Sequence, residues 1–181
     1  MKIAVHGAGS IGCWVGGCWA AAGLDVTLIG RKPVMDEIGC EGLRMTDHQG
    51  CDTQLPAESV KRATDPRALG EADIIALCVK STGTEAAAAE IARYGGQGAA
   101  VISFQNGVSN AERLRAALPG FTVLAGMVPF NVARLGGGRW HKGTSGELFA
   151  EDYEVTRALA QRIGDRPGKL KLAPDMAGLL W

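Results

Sequence analysis

The chain is short of anything that would give it a one-signed field, a membrane anchor or a metal cage. Its 19 Lys and Arg residues balance 19 Asp and Glu residues across 181 positions. No global potential therefore recruits nucleic acid or an anionic membrane, and any phosphate recognition has to be local. No apolar run approaches the roughly 20 residues that span a bilayer, so no membrane partner is expected. Met1-Lys2-Ile3 leads straight into an apolar run, which leaves no room for a signal peptide. The three histidines, His6, His48 and His141, are scattered without ligand spacing, so no metal site is expected. The cysteines are odd in number (Cys13, Cys18, Cys40, Cys51 and Cys78) and none stands in a C-x-x-C pair. They read as free thiols of a reducing cytosol, with Cys13, Cys18 and Cys78 buried, and the expected location is cytoplasmic. Repeats and low-complexity segments are absent too. The 26 glycines, about twice the usual share, instead suit an α/β protein with many tight turns. With 46% hydrophobic and 21% charged residues a substantial core is available, and the length fits one ordinary domain or one with a small appendage.

What is present is concentrated at the start. Lys2-Ile3-Ala4-Val5-His6 runs into Gly7-Ala8-Gly9-Ser10-Ile11-Gly12, an Ala-rich helical stretch follows to Ala22, and Val26-Thr27-Leu28-Ile29 is the next apolar run. This is Gly-x-Gly-x-x-Gly in a strand–turn–helix–strand setting. Gly7 permits the tight turn, Gly9 lets the backbone approach a pyrophosphate, and Gly12 lets the helix pack on the strand. The unpaired N–H groups and partial positive charge of the helix start then favour the pyrophosphate. One further absence selects the dinucleotide. Where a carboxylate would hold the ribose hydroxyls of NAD, the chain has Gly30-Arg31-Lys32. A guanidinium grips a phosphate with two parallel charge-assisted bonds, each worth roughly 1.5–3 kcal/mol, so NADP(H) is the expected cofactor.

The alternation of elements predicts a doubly wound parallel sheet, the Rossmann type, with a small antiparallel extension, over residues 1–174. Strands are expected at Lys2–His6, Asp25–Ile29, 60–63, 73–79, 99–104 and 122–128. Helices are expected at 10–22 (closed by Gly23), from the Asp65-Pro66 start, at Thr84–Tyr94, 110–118 and 152–163. Residues 42–55 read as a β-hairpin turning at Gly50. Asn131–Leu135, Arg139–Lys142 and Glu147–Phe149 read as short antiparallel strands around Gly136-Gly137-Gly138, and 169–172 as one more strand. Asp175 caps a helix over 176–181, so residues 175–181 read as the start of an interdomain helix. With Met176, Leu179, Leu180 and Trp181 uncovered, that helix should fray or associate into a homo-oligomer.

Ligands of such a sheet bind outside the carboxyl ends of its strands. Three polar residues stand at those ends: Arg31, Lys80 and Asn106. Lys80 suits a ribose or a substrate carboxylate, and Asn106 follows a buried strand directly. His141, Thr144 and Ser145 lack an acidic orienter and a G-x-S-x-G setting, so they read as a hairpin turn with local hydroxyl bonds and not as a hydrolase centre. Trp14, Trp19, Trp140 and Trp181 follow no stacking pattern and read as core or interface residues.

Taken in order, several short motifs resemble the N-terminal part of the ketopantoate reductase (2-dehydropantoate 2-reductase) family. They are Gly7-Ala8-Gly9-Ser10-Ile11-Gly12, Gly30-Arg31, Val79-Lys80, Gln105-Asn106-Gly107, and Gly126 to Asn131 followed by His141-x-Gly143-Thr144-x-Gly146. The resemblance implies that Gly7 to Gly12 cradle the pyrophosphate and that Arg31 takes the 2′-phosphate. It implies that Lys80 and Asn106 face the nicotinamide and a 2-keto acid substrate, and that backbone near Val132 touches the cofactor. The implied reaction is hydride reduction of a 2-keto acid by NADPH, in the route to pantothenate and coenzyme A, with a donor protonating the developing alkoxide. In the family that donor is a lysine within a couple of residues of a Trp on the interdomain helix, here expected just after Trp181. No catalytic residue is therefore expected within these 181 positions, and the helical C-terminal substrate domain is absent from them. Two other readings compete: a catalytically silent NADPH-binding or redox-sensing module, and another two-domain hydroxy-acid dehydrogenase, against which Lys80 and Asn106 weigh.

Overall fold

The computed structural model describes residues 1–105, 107, 109–174, 176 and 178. Strands β1 (Lys2–His6), β2 (Asp25–Ile29), β5 (Lys61–Ala63), β6 (Ile74–Leu77), β7 (Ala100–Ser103) and β8 (Thr122–Met127) form one parallel sheet in the order β5-β2-β1-β6-β7-β8. This is the doubly wound order of the Rossmann fold. Its switch point lies between β1 and β6, where crossovers depart to opposite sides and open a crevice at the strand ends. Helices α1 (Ser10–Ala21), α3 (Thr84–Tyr94) and α4 (Asn110–Ala117) cover the faces. Alternation along β1 and β6 divides the core. Ile3, Val5, Ile74 and Ala76 face the α1 side, whereas Ala4, Ile75 and Leu77 face the side of α3 and α4.

A smaller sheet has the order β4-β3-β10-β9, built from β3 (Leu43–Asp47), β4 (Asp52–Leu55), β9 (Val132–Gly136) and β10 (Arg139–Lys142). Each hairpin is antiparallel, as expected, and a parallel β3–β10 pair joins them. This sheet explains why α1 is apolar all round. Trp14, Val15, Cys18 and Trp19 are buried in one cluster with Val5 and Leu28 of the main sheet and Leu43, Met45 and Trp140 of the small one. A helix buried on both sides has no use for a polar face. The packing leaves no room for a Cβ at two positions the sequence does not single out. At Gly16 it would meet Leu28 Cδ2 at 2.5 Å, and at Gly17 the sulfur of Met45 at 2.4 Å. Trp14, Trp19 and Trp140 are core residues, as expected.

Four features depart from the sequence reading. Helix α2 (Lys32–Glu41) occupies a stretch the sequence left unassigned. It lacks a capping side chain, starts on Pro33, and buries Val34, Met35 and Ile38. The segment expected as Glu147–Phe149 in the small sheet is β11 (Leu148–Glu151), and it extends the main sheet instead, antiparallel to β8 and parallel to β12 (Leu170–Ala173). Leu148 and Ala150 are buried in the α1-side core, and the Glu151 carboxylate accepts from Ala125 N at 3.0 Å and from Arg115 at 2.6 Å. The Asp65-Pro66 start gives a 3-10 segment, Pro66–Glu71, with Asp65 accepting from Arg67 N as the expected cap. Finally, helix α5 begins at Glu154, not 152, and runs to Ile163. The helix expected over 176–181, with Asp175, lies largely outside the described residues.

Trp140 offers a test of this packing. It is fully buried, yet its Nε1–H has no hydrogen-bond partner among the described residues. Trp140→Ala should cost about 3–5 kcal/mol. Trp140→Phe should stay within about 1 kcal/mol of the parent, because removing an unpaired donor recovers about 1–3 kcal/mol against the lost volume. Urea denaturation of both variants decides it: equal losses would show that Nε1 is satisfied in the folded state.

Candidate cofactor site

The β1–α1 turn is built by its glycines, each for a separate reason. Gly7 has φ +96°, and a Cβ there would sit 2.6 Å from Val79 N. A Cβ on Gly12 would sit 2.6 Å from Gly7 O. Both positions are closed by the protein's own packing. Gly9 is different: a Cβ there would meet only Gly7 O, at 3.9 Å, and its φ is −95°. No close contact inside the chain excludes a side chain at position 9, which leaves room there for a group that approaches the backbone from outside. Gly9 is also the N-cap of α1, with no side-chain cap and no acid in the first turn. The N–H groups of Ser10, Ile11 and Gly12 have no acceptor in the preceding turn, which leaves the positive end of the helix open to an anion. The turn is anchored to the second strand by Gly7 N and Ala8 N, which donate to Ile29 O at 3.1 and 2.9 Å.

A cavity of about 580 Å³ opens in front of this turn. Gly7, Ala8, Gly9, Ser10 and Ile11 line it together with Arg31, Lys80 and residues at the ends of β2, β5 and β6. Of the expected binding residues, Gly12 and Val132 do not line it. Gly12 lies one step into the helix, and Val132 stands in β9 of the small sheet, paired with Lys142. Asn106 falls outside the described residues. The two cations after β2 separate clearly. Lys32 is held by Asp36 at 2.9–3.0 Å, whereas the exposed Arg31 side chain, at the N-cap of α2, makes no hydrogen bond or ion pair among the described residues. Lys80, at the end of the sixth strand, is likewise exposed and without such a partner there.

Two arrangements at the cleft were not foreseen. Gln105 is buried and donates to Val79 O at 3.1 Å and to Thr84 Oγ1 at 2.8 Å, while its Oε1 accepts from Ser103 at 3.1 Å. It thus ties the loop bearing Lys80 to the loop after β7. Its place directly after a buried strand was the available signal. The second is His6, buried beneath the turn, whose Nε2 lies 2.9 Å from Glu90 Oε2. Burial pushes the His6 pKa down, against the pull of the Glu90 charge, so the ring is neutral at pH 7. Cys78, at the cleft edge, has its thiol pushed up to about 12 by burial and is inert as a nucleophile. His141 Nδ1 meets Thr46 Oγ1 at 2.9 Å, and Thr144 Oγ1 accepts from Asn131 N at 3.0 Å. The Thr144 bond is of the kind expected, but the other two contacts are not local: His141 reaches across to β3, and Ser145 Oγ lies 3.1 Å from His48 Nε2, beyond the end of that strand.

Residues 3–154 match the family ketopantoate reductase PanE/ApbA. The chain belongs to the ketopantoate reductase family. The family's name, and those of the relatives below, are those of reductases. Among its relatives, the 2-dehydropantoate 2-reductase of Halobacterium salinarum is 36% identical over 154 residues, covering 84% of this chain and 50% of that protein. The 2-dehydropantoate 2-reductase of Pyrococcus abyssi is 37% identical over 114 residues, 63% of this chain and 36% of that one. A crystal structure of a PanE/ApbA family ketopantoate reductase from Ralstonia eutropha JMP134 superposes with a TM-score of 0.89 at 35% identity, over 100% of this chain and 59% of that chain. A ternary structure of D-mandelate dehydrogenase with NADH and anilino(oxo)acetate, at 18% identity and a TM-score of 0.80, shares the fold. The chain thus spans about half the length of the relatives it matches, from 36% to 59% of the three family members above.

Proposed function

We propose that this chain is the NADP(H)-binding domain of an enzyme that reduces a 2-keto acid, 2-dehydropantoate, to its hydroxy acid. The observation that carries the cofactor choice is Arg31. It is an exposed guanidinium at the end of the second strand, lining the cleft and free of any ion pair among the described residues. When bound, the cofactor supplies the hydride. The chain's own residues bind and orient it. The Ser10–Gly12 N–H groups hold the pyrophosphate, the absence of a side chain at Gly9 admits it, and Arg31 takes the 2′-phosphate in two parallel bonds. Lys80, Asn106 and backbone near Val132 are assigned to the nicotinamide side and the substrate carboxylate. Gln105 holds the Lys80 loop in place for that role.

The proton donor for the developing alkoxide is assigned, by the family resemblance, to a lysine beyond Trp181. The 181-residue chain should accordingly bind NADPH yet turn over 2-dehydropantoate negligibly with NADPH saturating. The check is nucleotide fluorescence titration beside an assay of NADPH oxidation at 340 nm. Turnover at an ordinary dehydrogenase rate would place the donor inside this chain, with Lys80 the first residue to replace. Equal affinities for NADPH and NADH would sink the Arg31 assignment.

A further inference from the structure

The cleft residues of the motifs account for the phosphates of a dinucleotide but leave His6, Thr64, Pro66 and Glu90 unexplained, all of which line the cavity. Glu90 is the only carboxylate among the described residues that line it, in a cleft that otherwise carries Arg31 and Lys80. It sits on α3, with its side chain 43% exposed. Its Oε2 lies 2.9 Å from His6 Nε2, and His6 is itself buried, with neither ring nitrogen in hydrogen-bond geometry with a partner among the described residues. The other oxygen, Oε1, makes no hydrogen bond among the described residues. A surface acid that merely aids solubility has no need of a buried histidine beneath it.

Resting on the dinucleotide reading above, we infer that Glu90, positioned by His6, reads the 6-amino group of the adenine ring. The argument is one of charge and chemistry. A carboxylate in a nucleotide cleft repels phosphate, so it has to face a part of the ligand that donates. Ile29, Gly30, Arg31, Thr64 and Pro66 place much of the lining at the ends of β2 and β5, on one side of the switch point between β1 and β6. That is the side on which a dinucleotide lays its adenosine half. In that half the donors are the ribose 3′-hydroxyl and the 6-amino group. The hydroxyl neighbours the 2′-phosphate and goes with it toward Arg31. The amino group is left for Glu90, and Ile29, Pro66 and Val79 supply apolar surface for the ring. A cation for the phosphate and an anion for the amino group then fix the direction in which adenosine lies, which neither alone would do.

The test compares NADPH with its deaminated analogue, reduced nicotinamide hypoxanthine dinucleotide phosphate, in which a 6-oxo acceptor replaces the 6-amino donor. Titration of the parent should show the analogue binding at least about tenfold more weakly, the scale of one hydrogen bond to a charged group lost and replaced by repulsion. Glu90→Leu should bring the two affinities within about twofold of each other. Glu90→Gln, whose amide offers both a donor and an acceptor, should also narrow the ratio. The ratio is the readout, because a merely structural disturbance scales both nucleotides alike. Equal binding of the two by the parent, or an unchanged ratio in Glu90→Leu, overturns the Glu90 assignment and leaves the dinucleotide site standing. Failure of the parent to bind either nucleotide overturns both readings.

Discussion

Arg31→Asp should invert the nucleotide preference. In the parent, NADPH should bind ten- to a hundredfold more tightly than NADH, because two charge-assisted bonds at roughly 1.5–3 kcal/mol each are discounted by solvent at an exposed site. In the variant both bonds are lost and a carboxylate faces the 2′-phosphate, so NADPH affinity should fall by about a hundredfold or more. NADH should hold or gain, since the new carboxylate can accept from both ribose hydroxyls. The fold should not suffer, because the Arg31 side chain makes no hydrogen bond or ion pair among the described residues, its carbonyl still accepts from Val34 N and Met35 N, and α2 keeps its Lys32–Asp36 pair. The parent's preference should also shrink with added salt, as expected for an exposed guanidinium meeting a phosphate. Titration of both proteins with both nucleotides at two ionic strengths settles the matter. A variant that still prefers NADPH would move phosphate recognition to Lys80 or elsewhere.

Gly9→Ala and Gly7→Ala should fail in opposite ways. At Gly9 the added methyl meets nothing nearer than 3.9 Å, and φ is negative, so thermal stability should stay within about 0.5 kcal/mol of the parent. Nucleotide affinity should nevertheless fall at least about tenfold, because the methyl occupies the approach of the pyrophosphate to the N–H groups of α1. At Gly7 the methyl would lie 2.6 Å from Val79 N, at φ +96°. This change should destabilise the fold by several kcal/mol, combining a disfavoured backbone conformation with a contact that only a shift of the β6 loop can relieve. The pair is read by melting temperature alongside NADPH titration. If Gly9→Ala bound NADPH like the parent, the approach of a group to the backbone at this position would be wrong.

Much of the fold was legible because its signals are local. Buried parallel strands read as unbroken apolar runs, and the Gly7–Gly12 turn announces itself at fixed spacing. Helix α2 escaped because its first turn offers no capping side chain and Gly39 interrupts a short apolar pattern. The sheet joined by β11 escaped because pairing partners are non-local: Leu148 and Ala150 alternate equally well for either sheet, and only burial against the α1-side core decides between them. At the site, Arg31 and Lys80 could be found as polar residues at strand ends. Gln105 carried the same strand-end signal, but its bridge to the Lys80 loop and the His6–Glu90 contact could not be read, since each joins residues from different elements whose meeting only the packing reveals.

The cover over α1 has a consequence for how the chain is made. Trp14, Cys18 and Trp19 leave the ribosome early, yet what shields them arrives late. Trp140 belongs to the pairing of β10 on β3, and the Trp19 indole N–H is satisfied by Gly168 O, 149 positions downstream. Until those segments are synthesised, the nascent Rossmann core carries a bare aromatic ridge of the kind that holdase chaperones grip and that drives premature aggregation. Release of the growing chain from such a chaperone should therefore track completion of β10 and the 168 region, not completion of the nucleotide-binding turn. A nascent chain halted near residue 130 should already contain every residue assigned to the phosphates and still lack the surface that lets it leave its escort.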